Sequence, residues 1–200
     1  VGYTATPYAN VFIPNDDIHL LYGDDLFPKN FIIALPQQSN YLGPERVLGL
    51  DYDPDQDIES VEPLPLVRIV NDQSDQIPDG HKKGLMVDQL PDSLKRALKC
   101  FLLSCAARRL RSEGVPHNSM LVHVTRFTDV QSQIAALIEK ELNGLVSRIM
   151  SKDELPDFRG IWETDFIPTS TQMMDLGFSD VKTHEWHQIE ESLGIVAPVV

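Results

Sequence analysis

Cysteine is nearly missing from this sequence: Cys100 and Cys105 are the two in 200 residues. Their spacing is poor for a metal clip, and both fall on what reads as a buried helix face. Reduced core thiols in a cytoplasmic chain, and no metal site, are the expectation. No apolar run approaches the roughly 20 residues that span a bilayer, so no membrane partner is expected. The first residues lack the basic cluster and apolar core of a secretory signal. Phosphate loops are absent too, since neither GxxxxGK[ST] nor GxGxxG occurs. The nearest substitute, DGHKKG (79–84), has no hydroxyl to hold Mg²⁺. The chain by itself is therefore expected to carry no nucleotide cofactor. GxSxG is missing, and neither cysteine has a histidine beside it, which removes the common nucleophile motifs.

Bases are scarce as well, and the formal net charge is −13. Residues 1–91 carry 15 acids against 5 bases, and residues 92–200 carry 15 against 12. A protein that coats nucleic acid without selectivity needs clustered Lys and Arg, so the whole does not fit that class. A local basic groove stays open. Six bases (Lys95, Arg96, Lys99, Arg108, Arg109, Arg111) sit in one helical stretch. The last three have an ordinary explanation in the helix dipole, which favours cations in a final turn.

Length and a 42% hydrophobic content suit a folded core that needs no disulfide. Residues 1–4, FIIAL (31–35), LVRIV (66–70), SMLVHVTR (119–126) and IVAPVV (195–200) read as strands. The 119–126 run is apolar enough to be covered on both faces. Residues 51–65, with six acids and three prolines, read as an exposed irregular segment. Leu94, Ala97, Leu98, Phe101, Leu102, Cys105, Ala106 and Leu110 make the stripe of an amphipathic helix over 91–114, capped by Asp92 or Ser93. A second helix follows, capped by Thr128. A third is expected over about 156–166, with PTSTQMMDLG as a turn, and a fourth begins at Ser179. Helices alternating with strands predict an α/β fold, a largely parallel open sheet flanked by helices.

Two patterns imitate active sites. DELP (153–156) resembles the acidic box of helicase ATPases but lacks the apolar strand that box needs. Asp157 with Asp180 and Lys182 spells a PD…DxK pattern, in which two carboxylates hold Mg²⁺ and a lysine lies near the attacking water. Its geometry needs Asp180 and Lys182 on one face of a hairpin, whereas a helix opening at Ser179 turns them apart. His184 and His187 lack a third ligand, and the Asp16-Asp17 and Asp24-Asp25 pairs read as solvated loop charges.

Several strings in order change this reading. VGYTATPYANVFIPNDD, DLFPKNFIIALPQQSNYLG and SMLVHVTRFTDVQ together resemble the bacterial Z-one domain family, over most of residues 1–150. The resemblance implies a DNA-acting endonuclease of restriction or defence type, similar to superfamily-two helicase ATPases with two RecA-like lobes. It implies that residues 1–90 end a first lobe and carry an acidic, proline-rich insert, and that residues 91–200 begin a second. The chain would then be an internal piece of a parent that uses ATP and Mg²⁺, with the other lobe of the same chain and DNA as partners. On that basis Thr4, Ala5, Thr6 and Pro7 form a motif coupling ATP to DNA movement. Thr125 and Arg126 contact a backbone phosphate or shape the cleft. The ordinary alternatives are threonines capping a helix and an Arg126–Asp129 ion pair. A different class of function is an interaction module that docks a protein through residues 51–79.

Overall fold

The computed structural model describes residues 18–19, 23–24, 33, 35, 41–52, 55, 59–112 and 117–199. Two compact units divide the chain, residues 1–42 and residues 43–200. In the first, β1 (Ile18–His19) and β2 (Gly23–Asp24) form a two-residue antiparallel pair. The second is helical. Its elements are α1 (Pro44–Leu48), α2 (Asp92–Arg111), α3 (Thr128–Met150), α4 (Pro156–Ile161), α5 (Ile167–Asp175) and α6 (Trp186–Val196). Its described residues hold one isolated bridge, Leu50 with Val61, and no parallel pairing.

The expected α/β sheet is therefore wrong. Residues 66–70 and 119–124 are irregular, with Ile69 88% and Leu121 90% exposed. Their apolar composition suits a strand, but a strand needs at least one neighbouring edge to pair with, and no described segment supplies it. Residues 195–196 finish α6 and 197–199 form a 3-10 turn, so the C-terminal run is no strand either. Residues 1–4 and most of 31–35 lie outside the described residues. Ile33 and Leu35, which do not, are exposed and unpaired.

Helix-on-helix burial replaces the sheet. α2 packs most extensively on α6, and α3, α4 and the turn after α6 close around them. Leu102 and Leu103 of α2, Ile189 and Leu193 of α6, Val130 of α3, Phe158 and Trp162 are essentially inaccessible to water. Burying side chains of this size stabilises by about 1.5–3 kcal/mol each, before entropy is counted. Ser192 Oγ donates to the Ala106 carbonyl at 3.0 Å, satisfying a hydroxyl buried between α6 and α2.

The helix ends are satisfied differently from the sequence expectation. At α2 neither Asp92 nor Ser93 caps with its own side chain. The Asp72 carboxylate, 21 residues upstream, accepts from the Ser93 N–H at 2.8 Å, and the Ser93 side chain, followed by that amide, holds its pKa below the usual value. Thr128 is the first helical residue of α3 rather than its cap. Thr125 serves that end: its hydroxyl accepts from the Phe127 N–H, and its carbonyl accepts from Gln131 Nε2. α6 starts at Trp186, not near Ser179, behind a reciprocal capping box of Glu185 and Gln188.

Residues 156–175 form one continuous helical run, so the turn expected at PTSTQMMDLG is absent. Pro168 lacks an amide and its ring clashes with the preceding turn of a regular helix. A π-helical turn at Trp162–Phe166 widens the backbone just ahead of it. Trp162 thereby enters the core, and its Nε1–H donates to the His184 carbonyl at 3.1 Å.

Candidate functional site

The six bases of α2 divide into two sets according to what faces them. Toward the N-terminal end every one meets a carboxylate. Lys95 lies 2.9 Å from Asp92, one turn away. Arg96 lies 3.0 Å from Asp165, which the π turn presents to it. Asp165 also accepts from Arg68 Nε at 3.1 Å, while Arg68 Nη2 reaches Thr169 Oγ1 at 2.6 Å. Lys99 lies 2.8 Å from Asp157, and Arg148 of α3 holds the other oxygen of that carboxylate at 2.9 Å.

These bridges are joints rather than active groups. Burial works against ionising Asp157, but the hydrogen bonds from Arg148 and Lys99 outweigh it and hold the carboxyl far below its ordinary range. The Arg68 hydrogen bond does most to lower Asp165, burial opposes it, and Arg96 adds to the lowering. A carboxylate pinned by two cations has no tendency to take a proton at neutral pH. It is also badly placed to serve as a metal ligand.

The C-terminal set is different. Arg108, Arg109 and Arg111 have no carboxylate within ion-pair distance among the described residues. Arg108 donates to the His117 carbonyl at 3.1 Å and to Asn118 Oδ1 at 2.9 Å, fastening the segment that leads to α3. Arg111 Nη2 donates to the Lys182 carbonyl at 2.9 Å. This brings Lys182 and His184, in the irregular stretch before α6, against the end of α2. His184 Nε2 is buried there with no hydrogen-bond partner, and Arg109 Nε, two residues before Arg111, is likewise buried and unpartnered. Burial lowers the Arg111 guanidinium from its ordinary value. Burial also lowers His184, with the charges of Arg111 and then Lys182 adding to it. Arg111 and Lys182, neither facing a carboxylate, thus lie beside the orphaned His184 nitrogen in an acidic chain.

Of the residues singled out in the sequence, Thr4, Ala5, Thr6 and Pro7 lie outside the described residues. Thr125 is buried, and its hydroxyl is 2.7 Å from His81 Nε2. His81 Nδ1 lies 3.0 Å from the Pro78 carbonyl, which can only accept. Nδ1 therefore donates there, and Nε2 shares a hydrogen bond with the Thr125 hydroxyl. Arg126 is exposed and sits 5.1 Å from the centre of the Phe127 ring rather than on Asp129. Asp129 instead accepts from the Gly84 amide at 2.7 Å. Gln133 clamps the same loop, accepting from the Val87 amide and donating to the Leu85 carbonyl.

Those contacts bear on the groups the sequence implied. A phosphate cradle needs free loop amides, and in DGHKKG the Gly84 amide is already taken by a carboxylate, so the loop does not fit ATP. The PD…DxK residues are not gathered. Asp157 belongs to Lys99 and Lys182 to Arg111, positions 12 residues apart on α2 and so about 18 Å along it. Residues 180–182 do not open a helix, which removes the objection drawn from helical spacing. The occupied Asp157 nonetheless makes the trio a poor Mg²⁺ site. Among the described residues no three His, Cys, Asp or Glu side chains are grouped to hold a metal ion. No described helix is long and apolar enough to cross a membrane. Cys105 is buried and Cys100 half-buried, both are free, and burial raises both thiols.

Sequence reasoning found the six bases but could not separate them. Neither Asp165 nor Arg68 was singled out, because their pairing spans 97 residues and has no local signal.

No curated protein and no solved structure matches the chain. The Z1 domain family profile matches residues 93–199, the whole run from α2 to the turn after α6. The SMLVHVTRF string lies inside that match, while TATP and DLFP lie outside it. Covering more than half of the chain, the match shows that this protein belongs to the Z1 domain family.

Proposed function

We propose that this chain is a helical nucleic-acid-contacting module of a DNA-acting Z1 protein, and that it contributes backbone contacts rather than bond-breaking chemistry. The observation that carries this reading is the division of the α2 bases. Lys95, Arg96 and Lys99 are neutralised, whereas Arg108, Arg109, Arg111 and the adjoining Lys182 are not. Uncompensated cations clustered on a strongly acidic protein suit a polyanion held at one place. Asp157 and Asp165 are locked by arginines and lysine, which supports a scaffold role for the acids. ATP hydrolysis and endonuclease chemistry belong, on this reading, to other parts of the parent protein.

The test is binding of a labelled DNA duplex at low salt by the chain and by a paired Arg111→Ala, Lys182→Ala variant. Weakened binding by the variant at unchanged thermal stability supports the module. Equal binding rejects it.

A second reading, of a different class, is protein docking through residues 51–79. Leu66, Val67, Ile69 and Val70 are exposed on both sides of the anchored Arg68, which favours it. The Ile69→Ser, Val70→Ser variant keeps that anchor and removes exposed apolar surface. Loss of a partner with DNA binding retained favours docking, and loss of neither removes it.

A further inference from the structure

We propose that Arg111, Lys182 and His184 form a site for one phosphodiester group, with the His184 imidazole as a donor that is protonated when the anion binds. The inference rests on the nucleic-acid reading above and names the residues that hold the phosphate. Three features of the site point to it. His184 Nε2 is buried without any hydrogen-bond partner, a state that costs about 1–3 kcal/mol and that native proteins rarely leave unexplained. The groups that face this ring are cations: Arg111 from the end of α2 and Lys182 from its own segment. Arg111 is held in place by its bond to the Lys182 carbonyl, and the His184 carbonyl is held by Trp162, so the segment is fixed from both sides.

In the free protein burial first, and then the neighbouring cations, disfavour the charged ring. A bound phosphodiester reverses that balance. Its oxygens accept from the guanidinium and the ammonium, and its negative charge favours the imidazolium, whose Nε2–H becomes a charge-assisted donor once the half-buried ring turns toward the anion. Binding takes one proton from solvent. The helix dipole opposes an anion at the end of α2, and two full positive charges exceed the half-charge of that dipole.

The experiment measures affinity for a short DNA duplex from pH 5.5 to 8.0 at fixed ionic strength, for the wild type and His184→Gln. A phosphodiester does not titrate in this range. The wild type is expected to weaken about tenfold between pH 6 and 8, and the variant less than about threefold. A parallel NMR titration of the His184 ring, with and without inorganic sulfate, reads the site without DNA, and sulfate is expected to move its midpoint upward. The same pH dependence in both proteins, or a midpoint that sulfate leaves unmoved, overturns the site. A wild type that binds no DNA at any pH overturns the nucleic-acid reading and the phosphodiester assignment with it.

Discussion

The Lys99 ammonium lies 2.8 Å from the Asp157 carboxylate, tying the middle of α2 to the first turn of α4. Arg148 of α3 shares that carboxylate, so one acid joins three helices. Asp157→Asn leaves the two cations facing each other without a counter-charge. It is expected to destabilise the protein by about 1–2 kcal/mol, less than a fully buried pair because all three groups keep some solvent contact. Urea denaturation at pH 7 measures it as a lower midpoint with an unchanged slope.

Acid should weaken the same joints. Asp157 and Asp165 both have folded-state pKa values below those of the unfolded chain. Their contribution is complete above the ordinary carboxylate range, near pH 4. It is lost as the pH falls below that range toward their folded values. Urea midpoints are expected to change little between pH 7 and 5 on account of these two groups, and to drop below pH 4. Asp157→Asn should show a smaller drop than the wild type.

Thr125 offers a test between structure and ligand contact. Its hydroxyl joins His81 to the entrance of α3, and the residue is 6% exposed. Thr125→Val keeps the shape and leaves the His81 nitrogen and the Phe127 amide without their partner. A loss of about 1–3 kcal/mol in stability is expected, with DNA affinity unchanged at temperatures where the variant is folded. A selective loss of affinity at wild-type stability would restore the phosphate-contact role suggested by the sequence.

Trp162 fills the core at the π turn and stacks on Phe166 with ring centroids 5.2 Å apart. Trp162→Ala removes the largest buried side chain together with the bond that holds the His184 carbonyl. The expected cost is about 3–5 kcal/mol, read by chemical denaturation.

The helices over 91–114 and after Thr128 were legible because their apolar residues recur at three- and four-residue intervals and their stripes do face the core. The strands were not. MLVHV and LVRIV have strand composition, but composition says nothing about whether a neighbouring edge exists, and Leu121 and Ile69 face solvent instead. PTSTQMMDLG read as a turn because the π turn that accommodates Pro168 has no sequence signature. The basic cluster was visible as six residues on one helix. Its division into paired and unpaired halves depends on Asp157 and Asp165, more than 50 residues away from the bases they meet on α2.

On the reading proposed above, the uncompensated C-terminal cations of α2, with Lys182, hold a nucleic-acid backbone. The slope of log affinity against log salt concentration counts the phosphates neutralised, at about 0.9 per contact on duplex DNA. Removing Arg111 and Lys182 together takes away one phosphate contact and is predicted to reduce that slope by about 0.9. An unchanged slope, or a wild type with no salt-dependent binding, would contradict the account.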